Sequence, residues 1–339
     1  MKIFVTGSAG FIGSNFVRHI FRERPQWHVV SYDLLTYAGN PDNLAEFAHD
    51  PRHTFVQGDI ADQKKLEALF SQHRPDVVVN FAAETHVDRS IHDGAAAFIH
   101  TNVGGVHALL EAVRKGGVPR MVHVSTDEVY GALPLESGTP FTEETAFAPN
   151  SPYAASKAGG DLLGRSYVKT FGVPLVVTHA ANNYGPWHFP EKLIPFFIMR
   201  AMQDQSLPLY GDGKYVRDWL HVDDHCAGIL AAVERGVIGE TYNIGADNER
   251  ANIDVAKMIL KLLGKPETLL TFVTDRPGHD RRYAISSEKI RNDLGWQPKY
   301  GAEQFEKGLQ ETIAWFEANQ DWAKRAVERA NGANHHITT

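Results

Sequence analysis

Thr126-Asp127-Glu128 follows the apolar run Met121-Val122-His123-Val124 and sets a hydroxyl beside two adjacent carboxylates. Two nearby carboxylates cannot both ionise cheaply, so one pKa rises. The protonated member suits a general acid, and the ionised one suits a base. A second pair is Tyr153 and Lys157, which stand one turn apart on one helix face. A cation beside a phenol favours the phenolate and lowers its pKa, which makes Tyr153 usable as a base near neutral pH. A third group is Gly7-Ser8-Ala9-Gly10-Phe11-Ile12-Gly13, with Asp33 further on. Glycines at that spacing permit a tight turn and close approach of backbone to a pyrophosphate. Asp33 can accept hydrogen bonds from an adenosine ribose and repels a 2′-phosphate, which favours NAD over NADP.

These residues need elements to position them. Short apolar runs are expected as strands at Ile3–Thr6, His28–Asp33, Thr54–Asp59, Val77–Ala83, Met121–Thr126, Leu175–Thr178 and Thr241–Gly245. Helices are expected over Gly13–Arg24, Gln63–His73, Val103–Lys115 and Tyr153–Phe171, then Asp254–Leu263 and Gln304–Ala318. Continuous apolar strands alternating with helices predict a parallel sheet covered on both faces. The fold class is therefore α/β, a Rossmann-like doubly wound parallel sheet with a smaller mixed α/β C-terminal substrate domain. The first domain covers residues 1–181, with about 219–248 returning to it. Residues 182–218 and about 249–325 form the second domain, and 326–339 a tail. Ser151 is an N-cap candidate and Pro152 fits the first helical position before Tyr153. Asp127 and Glu128, as neighbours on a straight strand, would point to opposite faces. They reach one substrate only if the chain turns just past Thr126.

The chain has 339 residues, 43% of them hydrophobic, enough to bury a substantial core. Its net charge of −7 and the lack of a long basic run argue against nucleic acid as partner. An anionic ligand then needs local cations, and Arg217, Arg276, Arg281 and Arg282 are the candidates. Cys226 is the single cysteine, which fits a reducing cytoplasm. No apolar run is long enough to span a membrane, and no paired His/acid spacing supports a metal site.

The glycine loop, Asp33 and the Tyr153/Lys157 pair resemble the extended short-chain dehydrogenase/reductase superfamily. The resemblance narrows with "FAAETHVDRS" from Phe81, "STDEVYG" from Ser125, "NNYGP" at Asn182–Pro186 and "PEKLIP" at Pro190–Pro195. "YGDG" from Tyr210, "VRDWLHVDD" from Val216 and "DRPGHDRRY" from Asp275 extend it. Together these motifs look like the dTDP-glucose 4,6-dehydratase family, from about residue 2 to about 318. The resemblance implies that enzyme-bound NAD⁺ oxidises C4 of the sugar, water is eliminated across C5–C6, and hydride returns to C6. In that scheme Tyr153 takes the C4 hydroxyl proton, Thr126 bonds the C4 oxygen, Glu128 is the C5 base and Asp127 the C6 acid.

The resemblance also implies a set of binding positions. Gly7, Gly10, Phe11, Ile12 and Gly13 fall on cofactor positions, as do Asp33, Leu34, Leu35 and Thr36. Asp59, Ile60, Phe81, Ala82, Ala83, Thr101, Tyr153, Lys157 and Asn183 fall there too. Thr85, His86, Thr126, Asn182, Lys192 and Leu193 fall on the substrate side. Pro208, Leu209, Tyr210, Arg217 and Asn252 join them, with Asp275, Arg276, Pro277, Gly278 and His279. The implied partner is a small-molecule nucleotide sugar, and the implied assembly a homodimer. The alternative is a related dehydratase or epimerase acting on a UDP- or GDP-sugar. A catalytically silent NAD-binding regulator would have no use for the complete set of five reactive side chains. His179-Ala180-Ala181 departs from the family's pattern, where Arg-Cys-Ser is expected. His179 reads as a packed core histidine or as a change in substrate fit. The sequence leaves open whether the product serves rhamnose or another deoxysugar.

Overall fold

The apolar runs do assemble into one sheet. The computed structural model describes residues 1–136, 138–275 and 278–333. Its main sheet has seven strands: β1 (Lys2–Thr6), β2 (His28–Asp33), β3 (His53–Gln57), β4 (Val77–Asn80), β5 (Met121–Thr126), β6 (Leu175–Ala180) and β10 (Thr241–Ile244). Their order is β10-β6-β5-β4-β1-β2-β3, and every pairing is parallel. Order reverses at β1, so the crevice beyond the carboxyl ends of β1 and β4 is the expected ligand site.

The continuous apolar strands follow from burial on both faces. Ile3, Val5, Val77, Val79, Val122, Val124 and Val176 point to one core. Phe4, Val78, Met121, Leu175 and Val177 point to the other. Helices α1 (Phe11–Glu23) and α8 (Val222–Arg235) cover the first face with Phe16, Val17, Ile20, Ile229 and Leu230. Helices α2 (Gln63–His73) and α5 (Val106–Gly116) cover the second with Leu66, Phe70, Leu109 and Val113. Each such side chain contributes about 1.5–3 kcal/mol by burial.

Between β4 and β5 the chain forms α3 (Val87–His92), α4 (Ala96–Phe98) and a π-helical turn (Ile99–Gly105) leading into α5. The expected helix start at Val103 is thus earlier and wound differently. The π turn aims buried Asn102 inward, where its Oδ1 accepts from Glu84 N at 2.9 Å. Its Nδ2 donates to Glu84 O at 3.0 Å and to Ser156 Oγ at 2.8 Å. Ser156 lies on α6 (Pro152–Phe171), so one side chain ties the segment after β4 to the helix carrying Tyr153.

Smaller elements make the second lobe. β7 (Asn182–Tyr184), β9 (Val216–His221) and β11 (Glu249–Ala251) form a three-stranded sheet, while β8 (Leu207–Tyr210) pairs with β12 (Leu270–Val273). β9 hydrogen-bonds there through His221, so the return to the main sheet begins at Val222 rather than near residue 219. Helices α7 (Leu193–Met202), α9 (Asn252–Leu262) and α11 (Phe305–Ala318) belong to this lobe, while α10 (Glu288–Leu294) packs Ile290 and Leu294 into the core of the main sheet. The expected tail from residue 326 is instead the second half of α12 (Gln320–Ala333). Trp322, Ala323 and Ala326 form its buried stripe, a short one in a polar sequence that is easily read as a tail. Among the described residues no helix is long and apolar enough to cross a membrane.

Candidate active site

The glycine loop joins β1 to α1. Gly7 has φ +63°, and a Cβ on it would lie 2.6 Å from Ala82 N. A Cβ on Gly13 would lie 2.2 Å from Gly7 O, so loop and helix pack backbone to backbone. A Cβ on Gly10 would meet only Gly7 O, at 3.3 Å. Gly10 starts α1 with no side-chain cap and no acid in the first turn, so its amides suit a pyrophosphate. Asp33 ends β2, where its Oδ2 accepts from Ala9 N at 2.9 Å and its Oδ1 from Leu35 N at 2.8 Å. Burial pushes this carboxyl up, and the two amides pull it down. Each oxygen keeps a lone pair for a ribose hydroxyl. These residues therefore fit a dinucleotide. Leu35 turns the chain at φ +60°, leaving Leu34 exposed before Thr36.

The other cofactor candidates cluster more loosely. Asp59 Oδ1 accepts from Ala61 N at 2.8 Å and its Oδ2 lies 2.9 Å from His100 Nε2. Ile60 is buried in the core beside Gly105. β4 ends at Asn80 rather than Ala83, because Phe81 and Ala82 leave the sheet to pass Gly7. Thr101 lies in the π turn. Asn183 Oδ1 is engaged by His225 Nδ1 at 2.9 Å.

The turn that the carboxylates require is present. β5 stops at Thr126, and a 3₁₀ turn covers Asp127–Tyr130. Thr126 caps it, its Oγ1 accepting from Glu128 N at 3.3 Å. Strand alternation ends there, and both carboxylates act on the buried Tyr153 phenol. Burial pushes that phenol up first, Glu128 adds to the rise, and a hydrogen bond with Thr126 opposes it. The expectation that Lys157 lowers the phenol's pKa is not met: burial, with Glu128 and Asp127 adding to it, raises it. Lys157 Nζ instead donates to Val124 O at 2.9 Å.

Asp127 is 2% exposed, and its Oδ2 has no hydrogen-bond partner among the described residues. Burial pushes its carboxyl well above the ordinary value, with Glu128 and Asp218 adding to the rise. Asp218 is itself buried and drawn up to about 7 by burial, against bonds from Ala246 N and Asn248 N.

Beneath the pair lies a cluster that the sequence did not reveal. Asp161 Oδ2 accepts from Ser125 Oγ at 2.8 Å and lies 3.1 Å from His179 Nε2. Its Oδ1 lies 3.4 Å from His123 Nε2. Burial alone would push this carboxyl up, but the two histidines beside it, His179 within hydrogen-bond distance and His123 close by, outweigh it and hold it below the usual range. Tyr130 OH lies 2.6 Å from His179 Nδ1. His179 is thus a buried histidine with polar partners, as the core reading expects. The one clue in the sequence was that Asp161 sits four residues after Lys157 on the same helix face.

Burial draws Lys157 down to about 8, with Asp161 opposing. The ammonium is lost as pH climbs through about 8, and activity that needs the cation is expected to fall there. Asp161→Asn removes the opposing charge, so the fall moves to lower pH. An unchanged alkaline limb in a pH–rate profile of that variant contradicts this.

On the substrate side, Lys192 Nζ donates to Thr85 O at 3.2 Å, one residue before the first turn of α7, which Leu193 opens. His86 Nε2 lies 3.5 Å from Glu191 Oε2, and Tyr37 OH donates to Glu191 Oε1 at 3.2 Å. Glu191 is buried and pushed up by that burial; the sequence reading passed over it. Asn182 and Asn252 each keep a buried Oδ1 without a hydrogen-bond partner among the described residues. Arg217 is buried, donating to Val216 O and Asp280 O at 2.8 and 2.9 Å, with Tyr283 4.3 Å beneath it. Arg281 and Arg282 are ion-paired with Asp212 and Glu249. His279 stacks on Tyr215 at 3.7 Å and lies 2.8 Å from Asp275, and Gly278 adopts φ +66°. Arg276 and Pro277 lie outside the described residues. Pro208, Leu209 and Tyr210 lie on β8, with Tyr210 5.8 Å from His279. A cavity of about 620 Å³ opens between Ala132–Glu136 and His279–Arg281, the former also missed in the sequence. No group of three metal-binding side chains occurs among the described residues.

The comparisons place the chain among the nucleotide-sugar 4,6-dehydratases. A family model described as GDP-mannose 4,6 dehydratase matches residues 4–312. A dTDP-glucose 4,6-dehydratase of Neisseria meningitidis is 51% identical, with 95% of this chain and 94% of that protein covered. A crystal structure of dTDP-glucose 4,6-dehydratase from Bacillus anthracis in complex with NAD has a TM-score of 0.89 at 48% identity, covering 96% of this chain and 99% of that one. The Streptomyces venezuelae enzyme DesIV, also with NAD bound, gives 0.91 at 45% identity over 96% of this chain and all of that one. With this sheet, this strand end and these relatives, the chain belongs to the dTDP-glucose 4,6-dehydratase family of the extended short-chain dehydrogenase/reductase superfamily.

Proposed function

We propose that this chain is an NAD⁺-dependent hydro-lyase that converts dTDP-glucose to dTDP-4-keto-6-deoxyglucose. The observation that carries the reading is the turn after Thr126, which sets buried Asp127 beside Glu128 and Tyr153. Oxidation or epimerisation at C4 needs a base and a hydroxyl donor; removing water across C5–C6 needs a further base and a further acid. Bound NAD⁺ supplies the hydride acceptor at C4, the hydride donor at C6, and positive charge to offset the carboxylates around the phenol. Tyr153 takes the C4 hydroxyl proton while Thr126 bonds the C4 oxygen. The ketone acidifies C5, whose proton passes to Glu128, while Asp127 gives its proton to the departing C6 hydroxyl. Glu128 then returns a proton to C5 as hydride reaches C6. The sum is redox-neutral.

The glycine loop with Asp33 is assigned to the cofactor's pyrophosphate and ribose. Asn182, Lys192, Arg217 and Asp275–His279 are assigned to the nucleotide sugar, with buried Arg217 the diphosphate cation least exposed to screening. Residues 1–181 with 222–248 and about 285–296 are assigned to the cofactor lobe, and the rest of the described chain to the sugar lobe. Ile99 and Leu162 stand exposed on adjacent helical segments, which supports a second copy packing there. Light scattering at twice the chain mass is the expected result, and a monomer excludes it. The single cysteine, Cys226, is buried and unpaired in a disulfide, in keeping with a cytoplasmic setting.

The test is a panel of dTDP-glucose, UDP-glucose and GDP-mannose offered without added cofactor. A product lighter by one water from dTDP-glucose, with no accumulation of NADH, is expected. Preferential consumption of a UDP- or GDP-sugar would overturn the substrate assignment.

A further inference from the structure

Helix α12 lies beyond the last residue that the family model matches. Two lines of contact run from its Trp322 to the glycine loop. Trp322 is buried, and its Nε1 donates to Asn43 Oδ1 at 2.9 Å. Buried Asn43 donates from Nδ2 to Ala9 O at 2.8 Å. Asn40 N also donates to that oxygen, at 3.0 Å, while Ala9 N donates to Asp33. The backbone between Gly7 and Gly10 is thus held through both its amide and its carbonyl.

The second line is aromatic. Trp322 meets Trp187 edge-on, with centroids 5.5 Å apart. Trp187 has φ +67°, a region that bulky residues rarely enter. It is kept there by Trp315 at 4.9 Å and by the Arg18 guanidinium 4.0 Å over its ring. The next residue, His188, is buried and stacks on Phe11 of the glycine loop, centroids 4.1 Å apart. Asn15 of α1 donates to Pro186 O at 2.9 Å, on the same segment.

We propose that Trp322 is a positioning residue for the cofactor: through Asn43 and through Trp187–His188 it fixes the glycine loop and slows the release of NAD. The proposal rests on the dehydratase reading, in which reduced cofactor must stay bound between two hydride transfers. A cofactor lost midway would strand the sugar as an unsaturated ketone.

The test uses the full chain and follows exchange of bound NAD against labelled NAD. Trp322→Phe keeps the ring stack and removes the N–H donor, leaving the buried Asn43 oxygen short of one bond. About tenfold faster release is expected, the size of one buried hydrogen bond left unmade. The apparent KM for NAD rises, while kcat at saturating NAD stays near that of the parent. Asn43→Ala breaks the same relay, so the double variant is expected to release NAD no faster than the faster single one. Thermal midpoints of the phenylalanine variant and the parent within a few degrees show that the fold is intact. Release from Trp322→Phe at the parent rate overturns the proposal, as does a double variant whose effect is the product of the two singles. If dTDP-glucose is not dehydrated yet NAD exchange responds as described, the substrate reading falls and the relay stands. A parent protein that binds no NAD overturns both.

Discussion

Glu128→Gln is expected to stop the reaction after the first hydride transfer. Glutamine keeps the shape and an acceptor oxygen but cannot take a proton from C5. General bases of this kind contribute roughly 10²–10⁴-fold, so elimination is expected to slow by that amount. Oxidation at C4 does not use the Glu128 proton, and reduced nicotinamide is expected to build up on the enzyme. Exchange of the C5 hydrogen with deuterated solvent is expected to vanish as well. A second effect follows from the electrostatics. After burial, Glu128 is the strongest influence holding the Tyr153 phenol up. Without that negative charge the phenolate forms at lower pH, and the pH profile of C4 oxidation shifts to the acid side. Stopped-flow absorbance in H₂O and D₂O over a pH series measures all three. Water loss at the parent rate would remove Glu128 from the role given to it.

Asp127→Asn is expected to make the protein slower and more stable at once. The amide has nearly the same shape but no proton to give the C6 hydroxyl, and a loss of roughly 10²–10⁴-fold in elimination is expected. The stability gain comes from linkage. The folded-state pKa of Asp127 is raised, chiefly by burial, above its unfolded value. The folded chain therefore holds a proton that the unfolded chain has already released. Stability is lost as pH rises from the ordinary carboxylate range toward the folded pKa. Asparagine carries no such dependence. Its advantage is expected to be absent near pH 3 and to grow toward neutrality, at about 1–2 °C in melting temperature per kcal/mol for a chain of this size. Thermal melts of both proteins across that range decide it. A variant less stable than the parent at pH 7 would mean that the Asp127 carboxyl is ionised and paired.

The sheet was readable because parallel strands buried on both faces are written as unbroken apolar runs: Met121–Thr126 and His28–Asp33 appear with the limits expected. The strand end, the glycine loop and the Tyr153/Lys157 helix were readable for a related reason, since each is a local pattern. What escaped depends on register between distant strands. Ser125 lies opposite His179 only because β5 and β6 pair as they do, which brings both to Asp161. The π turn escaped because helical periodicity alone does not announce an extra residue in a turn. The same limit applied to the phenol: spacing put Lys157 beside Tyr153, but depth of burial sets the direction of the shift.

The seventh strand also bears on how the chain acquires its structure. β10 pairs with β6, Thr241 opposite Val177, after the chain has left the sheet to build β7, β8 and β9. The sheet edge can close only once that excursion has been made, and Trp322 reaches Asn43 later still. Such long-range pairings must meet the entropy of loop closure before they return any contact energy, which slows folding. A ribosome emitting this chain from its N-terminus would expose β6 as an uncovered edge until residue 244 emerges. During synthesis, that edge stays open to misassociation.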